Sequence, residues 1–341
     1  MELIPIFMTA LNAVVPIILL IGLGYILRQK GFLTDNFLQV GNKLVFKLML
    51  PTMLFINTYS IPSLSDIRWD ITVYSSLAVI LIFAVSLITV VRVTPVPQRR
   101  GVILQCCFRS NFVIIGLPLA ASLGGAEAEA VAAVLSAVTV PLFNILAVIA
   151  LSIFVERKES FAESAKRVLR DIITNPLIIA VALGLSCLVI RWLQSLLFSQ
   201  VIFRLDTQTA FFFDALKTLK SGTTPVALMV LGGQFTFSAV KELKKEIIAG
   251  TIWRIILSPI IGIGGAVLLT HWKILSCTGA DYPALIALFG SPVAVSSAIM
   301  AKGMGGDEQL ATQLVVWTTL FSSITVFLTV CILMATGLIP I

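Results

Sequence analysis

Ten apolar stretches, each near the length needed to cross a bilayer as a helix, take up almost the whole chain: 5–27, 43–60, 71–92, 101–123, 129–154, 172–198, 215–237, 247–270, 283–302 and 308–336. A helix crossing a ~30 Å hydrocarbon core needs ~20 mostly apolar residues, and only helices or closed barrels satisfy their backbone polar groups there. The gaps are short, the longest being 28–42, 156–171 and 199–214, so no soluble domain fits between the stretches. Of the 341 residues, 58% are hydrophobic and 12% charged, against roughly 25% charged in a soluble domain. The chain is expected to be an all-α integral membrane protein of ten transmembrane helices. The N-terminal stretch has no basic leader region and reads as a retained first span.

The net charge of +7 sits in the gaps between apolar runs, where it reports topology and not a nucleic-acid footprint. Fifteen Lys and Arg fall in or beside the odd-numbered gaps and five (Arg68, Arg204, Lys217, Lys220 and Lys273) in or beside the even-numbered ones. The positive-inside rule then places the odd gaps in the cytoplasm and both termini outside the cell (inner) membrane. The segment 156–171 is cytoplasmic in this scheme, either as an amphipathic helix on the inner membrane face or as a plain connector. A single histidine, His271, and the scattered Cys106, Cys107, Cys187, Cys277 and Cys331 have no metal-ligand or disulfide spacing. No metal and no cofactor are expected.

Five spans per half invite a test for duplication, since an odd-helix unit repeated in tandem inserts its second copy upside down. Pro16 is followed eight residues on by Gly24, and Pro176 eight on by Gly184; Pro51 in span 2 has a counterpart in Pro225 of span 7. The segment Phe108–Gly125 aligns without a gap on Phe289–Gly306 at a shift of 181, placing Ser110 on Ser291, Asn111 on Pro292 and Glu127 on Glu308. The expected organisation is therefore 1–155 as one five-helix repeat, 156–171 as connector and 172–341 as the inverted second repeat. The segment 199–214 looks like an insertion in the second half.

Spans 4 and 9 depart most from plain apolar composition. Arg109, Ser110 and Asn111 lie inside an apolar run ahead of Gly116 and Pro118; span 9 carries Gly290, Ser291, Pro292, Ser296 and Ser297. Pro removes a donor and disfavours helix in the residue before it, and Gly and Asn tolerate non-helical dihedrals. Both spans are expected to unwind near mid-membrane, which is tolerable only where the backbone lines a cavity. A half-helix N-terminus suits an anion, and Arg109 adds a charged fork that matches a carboxylate. Arg109 has a second reading, snorkelling to the surface, and Asn111 a second reading as a tie between helices. Lys47 and Arg254 lie near the ends of spans 2 and 8 and read as interfacial, while Asn57, Asn144, Asn175 and Gln234 read as interhelical hydrogen-bonding groups. No Asp or Glu sits deep in any span, so a carboxylate proton relay is not expected, and potential-driven movement of an anion is.

The ten-span layout, the basic central segment, RSN followed by GLP from Arg109 to Pro118, and the Pro-containing span 9 running into Gly-Gly-Asp-Glu resemble the auxin efflux carrier family. In size the chain is most similar to the family's bacterial malate or malonate permease-like branch. The resemblance implies a bile-acid-transporter-like fold in which broken helices 4 and 9 cross. Helices 1, 2, 6 and 7 would form a scaffold, and helices 3–5 and 8–10 a moving bundle. It implies an organic anion bound near the crossover, with Asn111, Pro118 and Pro292 as crossover residues and homodimers formed through the scaffold. Here span 9 reads Ser-Pro-Val, without the Asn of some relatives, which makes Ser291 or Ser296 the replacement contact. The expected substrate-binding residues are thus Arg109, Ser110, Asn111, Ser291, Pro292 and Ser296, with Gly116, Pro118, Gly290 and Pro292 as hinges. A secondary carrier of a small carboxylate is the reading that fits, ahead of an anion channel or an intramembrane enzyme, neither of which finds its ring of charges or its catalytic pair.

Overall fold

The computed structural model describes residues 3–60, 68–154, 163, 166, 169–170, 173–198 and 201–339. Most of the basic segment 156–171 lies outside the described residues, and so does its expected inner-face helix. Regular structure among the described residues is helical throughout: α1 (Leu3–Gln29), α2 (Asp35–Leu44), α3 (Leu50–Tyr59), α4 (Trp69–Val93), α5 (Pro97–Phe108), α6 (Leu117–Ser152), α7 (Pro176–Phe198), α8 (Leu205–Gln208), α9 (Ala210–Gln234), α10 (Ser238–Glu242), α11 (Lys244–Ile252), α12 (Gly265–His271), α13 (Asp281–Gly290), α14 (Ser296–Gly303) and α15 (Glu308–Ala335). Among the described residues, five segments are long and apolar enough to cross a membrane: Trp69–Val93, Glu127–Ser152, Pro176–Phe198, Lys244–His271 and Glu308–Ala335. Their outward faces are apolar, with Leu77, Ile88, Leu183 and Ile332 all more than half exposed. Apolar faces of that extent suit a lipid solvent, where there is no polar alternative to satisfy.

The helices start and stop for local reasons, and some of them lie in the gaps between the apolar stretches. The gap 28–42 is largely helix: Thr34 accepts from the Phe37 N–H at 3.2 Å and caps α2, with Asp35 suiting its N-terminal dipole. A π-turn (Val45–Met49) then carries α2 into α3, the Leu50 N–H reaching back to Val45 O just ahead of Pro51, which has no N–H to give. The described part of 199–214 is also partly helical. It contains α8 and the first turn of α9, and Asp206 ties it down by accepting from the Tyr59 hydroxyl at 2.8 Å. Arg191 holds the same tyrosine from the other side, donating to Tyr59 O at 2.6 Å with its guanidinium 4.6 Å from the ring centre.

Two contacts set how closely the helices approach. Gly24 of α1 packs on the backbone carbonyl of Met229 in α9, and Gly232 of α9 returns the contact on the carbonyl of Ile21. Gly184 of α7 packs on α3, where a Cβ would lie 2.7 Å from Thr58 Cβ and 3.1 Å from Phe55 O. Each pair leaves no space for a side chain.

Ion pairs hold the other helices. Arg99, at the start of α5, donates to Asp307 at 2.9 Å and to Glu246 at 3.1 Å, joining α5, α11 and the N-cap of α15. Arg68, before α4, donates to the wholly buried Asp281 at 2.9 Å and to Asp70 at 2.8 Å, joining α4 and α13.

Candidate functional site

Two helical paths come apart at the centre of the molecule. α5 ends at Phe108, and Arg109 (φ −86°, ψ 101°) and Asn111 (φ −80°, ψ 53°) leave the helical region before a π-turn (Phe112–Gly116) leads into α6. α13 ends at Gly290, and Ser291 is extended (φ −63°, ψ 150°) before α14 begins at Ser296. The second break follows from Pro292, whose ring disfavours helix at Ser291 and which has no N–H to offer.

The two breaks meet. Ser110 and Val293 form an antiparallel bridge, flanked by Asn111 N–H to Pro292 O at 2.8 Å and Ala294 N–H to Arg109 O at 3.2 Å. The unwound backbone thus finds partners in the other break, which is how a non-helical segment survives in a water-poor interior.

A cavity of about 50 Å³ opens beside this bridge. Arg109, Ser110, Asn111 and Ser296 line it, with Asn144 of α6 and Thr223 of α9 among the polar neighbours. Its walls include the starts of both second half-helices: 112–114, and Ser296 with the two residues that lead into it. Helix N-termini carry about half a positive charge each, so both ends present the same sign to one space. Arg109 strengthens that sign. The residue is 4% exposed, and its guanidinium donates to three neutral atoms: Asn144 Oδ1 at 2.8 Å, Ser296 Oγ at 3.0 Å and Met300 Sδ at 3.1 Å. The buried Ser110 Oγ and Asn111 Nδ2 have no hydrogen-bond partner among the described residues; a buried donor left unpaired costs about 1–3 kcal/mol. Charge and spare donors together make a site that an anionic, hydrogen-bond-accepting group would complete.

The residues singled out in the sequence fall into two sets. Arg109, Ser110, Asn111 and Ser296 are brought together at the cavity. Ser291 is not: its hydroxyl is spent on Ala287 O at 2.6 Å, and it does not line the cavity. Pro292 contributes through its backbone carbonyl alone. Gly116 and Pro118, expected as hinges, stay helical several residues beyond the break, because the π-turn absorbs the donor that Pro118 lacks. Gly116 serves packing, with Ala287 O 2.9 Å from where a Cβ would stand. Gly290 is the last residue of α13.

One placement differs from the sequence reading more sharply: Arg254, read as interfacial, is wholly buried and bonds backbone carbonyls at the crossing. Asn144, read as an interhelical hydrogen-bonding group, is one, and its partner is Arg109 at the end of α5. Asn175 accepts from the Leu177 N–H at 2.9 Å and also reaches Met304 Sδ at 3.9 Å. Lys47 is exposed, as an interfacial lysine would be.

Residues 9–330 match the family model described as membrane transport protein, in agreement with the resemblance noted from the sequence. Comparison with curated proteins gives no match.

Proposed function

Because the chain belongs to the membrane transport protein family, we propose that it is a secondary transporter of a small organic anion, bound where the two broken helices cross. The observation that carries this reading is the Arg109 guanidinium, buried among neutral partners in a cavity that also collects two half-helix N-termini. One full charge plus two half-charges gives a local field of about +2, which favours a mono- or dicarboxylate over a neutral solute. Ser110 Oγ and Asn111 Nδ2 supply the donors left over for its oxygens.

Ten spans in two inverted repeats are part of the same proposal. Supporting it, Gly24 of span 1 packs on span 7, while Gly184 of span 6 packs on span 2, which is the same contact with the halves exchanged. An ion pair recurs at the corresponding places with its signs exchanged: Arg68, just before span 3, meets Asp281 at span 9, and Glu246, just before span 8, meets Arg99 at span 4. Scaffold helices 1, 2, 6 and 7 against a bundle of 3–5 and 8–10 would then provide alternating access, with both termini outside and the basic central segment in the cytoplasm.

Counterflow in proteoliposomes against a panel of mono- and dicarboxylates tests the proposal. An imposed potassium diffusion potential adds the driving force: an anion leaving a negative-inside compartment gains ~2.3 kcal/mol per charge at 100 mV, roughly a fiftyfold ratio at equilibrium. Saturable, voltage-dependent counterflow is expected. Flux that never saturates would favour a channel, and no flux with any carboxylate would end the proposal.

A further inference from the structure

Arg254 occupies an unusual place for a charged side chain. It lies in the π-turn Trp253–Leu257 that follows α11 and has no solvent exposure. Its partners are all backbone carbonyls. Nε donates to Ser291 O at 3.0 Å, Nη1 to Cys107 O at 3.4 Å, and Nη2 to Phe289 O at 2.5 Å and Leu288 O at 3.3 Å. Cys107 belongs to the last turn of α5, and Leu288 and Phe289 to the last turn of α13.

These are the carbonyls that a helix end leaves without an intrahelical partner. Each helix C-terminus carries about half a negative charge, so two ends sum to about −1, the charge that one guanidinium balances. The crossing is thereby divided by sign. Its two C-terminal ends close on Arg254, and its two N-terminal ends face the cavity with Arg109. A ring of half-helix carbonyls is also the coordination that carriers offer to a mobile cation.

We infer that Arg254 is a resident cation: a positioning residue whose guanidinium permanently fills a carbonyl cage built for a positive ion, so the crossing is assembled without a bound metal ion. The inference concerns residues that do not line the proposed anion site and does not depend on the substrate.

Two experiments on the full-length purified protein test it. Wild type is melted in matched sodium, potassium and choline chloride, and the same melting temperature is expected in all three. A melting temperature raised specifically by sodium or potassium would overturn the inference. Arg254→Ala opens the cage; it is expected to melt lower than wild type and to regain most of the loss with millimolar guanidinium or methylguanidinium, neither of which raises the wild-type value. Arg254→Met, whose stem fills the space, is expected not to respond. A folded Arg254→Ala protein that ignores both cations would overturn the inference. If Arg254→Ala is not recovered folded, Arg254→Lys is compared with Arg254→Met. Recovery of the lysine variant alone supports a need for charge, and equal recovery of both overturns it.

Discussion

Asn111 gives its backbone N–H to the carbonyl of Pro292 at 2.8 Å, a residue with no N–H to give back. The return bond comes instead from Ala294 N–H to Arg109 O at 3.2 Å, so the two breaks are joined by one pair of backbone bonds around Ser110 and Val293. Backbone therefore holds backbone at the crossing. The Ser110 hydroxyl and the Asn111 amide nitrogen are left out of that work and have no hydrogen-bond partner among the described residues.

Removing the Asn111 side chain should accordingly separate binding from stability. Asn111→Ala is expected to bind anion about ten- to hundredfold more weakly, the loss of a hydrogen bond to a charged partner being worth roughly 1.5–3 kcal/mol. Its melting temperature without ligand should match wild type, since the lost Nδ2 has no hydrogen-bond partner among the described residues. Calorimetric titration beside a ligand-free melt checks both halves. Wild-type affinity in the variant would move the site away from this break.

Arg109 should show the opposite balance. A buried charge among neutral partners is costly to desolvate, and an apolar replacement of similar length removes that cost. Arg109→Met is expected to melt at or above the wild-type temperature while losing the upward shift that a bound carboxylate produces. Arg109→Lys keeps the charge but not the fork that reaches Asn144 and Ser296 together, so its affinity should be intermediate. Thermal shift with and without carboxylate distinguishes the three proteins.

Neighbouring glycines on α1 should respond with opposite sign. Gly24→Ala drives a methyl into the Met229 carbonyl and is expected to destabilise by about 1–3 kcal/mol. Gly22 has open space around it, and Gly22→Ala should gain up to ~1 kcal/mol from helix propensity. Reversible denaturation of both variants in mixed micelles is the measurement.

The Asp206 anchor should fail in acid. The Arg204 hydrogen bond, with help from the Tyr59 hydroxyl, holds the Asp206 carboxyl below its ordinary value of 3.8. A depressed folded value means the stabilisation is complete above about pH 5 and is lost as pH falls through the folded value. Both partners are partly exposed, so the effect is under ~1 kcal/mol and is best read locally. Hydrogen exchange in 201–208 is expected to be flat from neutral pH to about pH 5 once corrected for intrinsic rates, and to rise below about pH 4. Asp206→Asn should exchange fast throughout; a variant as protected as wild type would mean the carboxylate is not the anchor.

The breaks were legible because their cause is local. Ser291-Pro292 marks its own interruption, and the polar run from Arg109 to Asn111 marks the other. Gly116 and Pro118 do not mark the break itself: a π-turn leads from the break to Gly116, and Pro118 sits in the first turn of the helix that follows. Thr34 and Asp35 are an ordinary N-cap signal, but α2 is amphipathic and falls between the apolar runs that defined the spans. Arg254 could not be read correctly from its own span, because its acceptors are carbonyls of α5, α13 and the break after α13. Hydropathy records where a charge lies along a helix and nothing of which helix ends converge on it.

The glycine pair that ends the broken span has a consequence for how the protein is made. Gly124 (φ −138°) and Gly125 (φ 66°) turn the chain from the short half-helix straight into the long segment Glu127–Ser152. Phe112–Gly125 is a short apolar helix; at ~1.5 Å per residue it covers roughly two thirds of a ~30 Å hydrocarbon core. It is too short to cross by itself, so the broken span needs α5 as its other half. The bonds that join the two breaks have a further cost in order of synthesis: the backbone partners of Arg109 and Asn111 are residues 292 and 294, which are made more than 180 residues later, so this part of the crossing closes only after most of the chain has been translated.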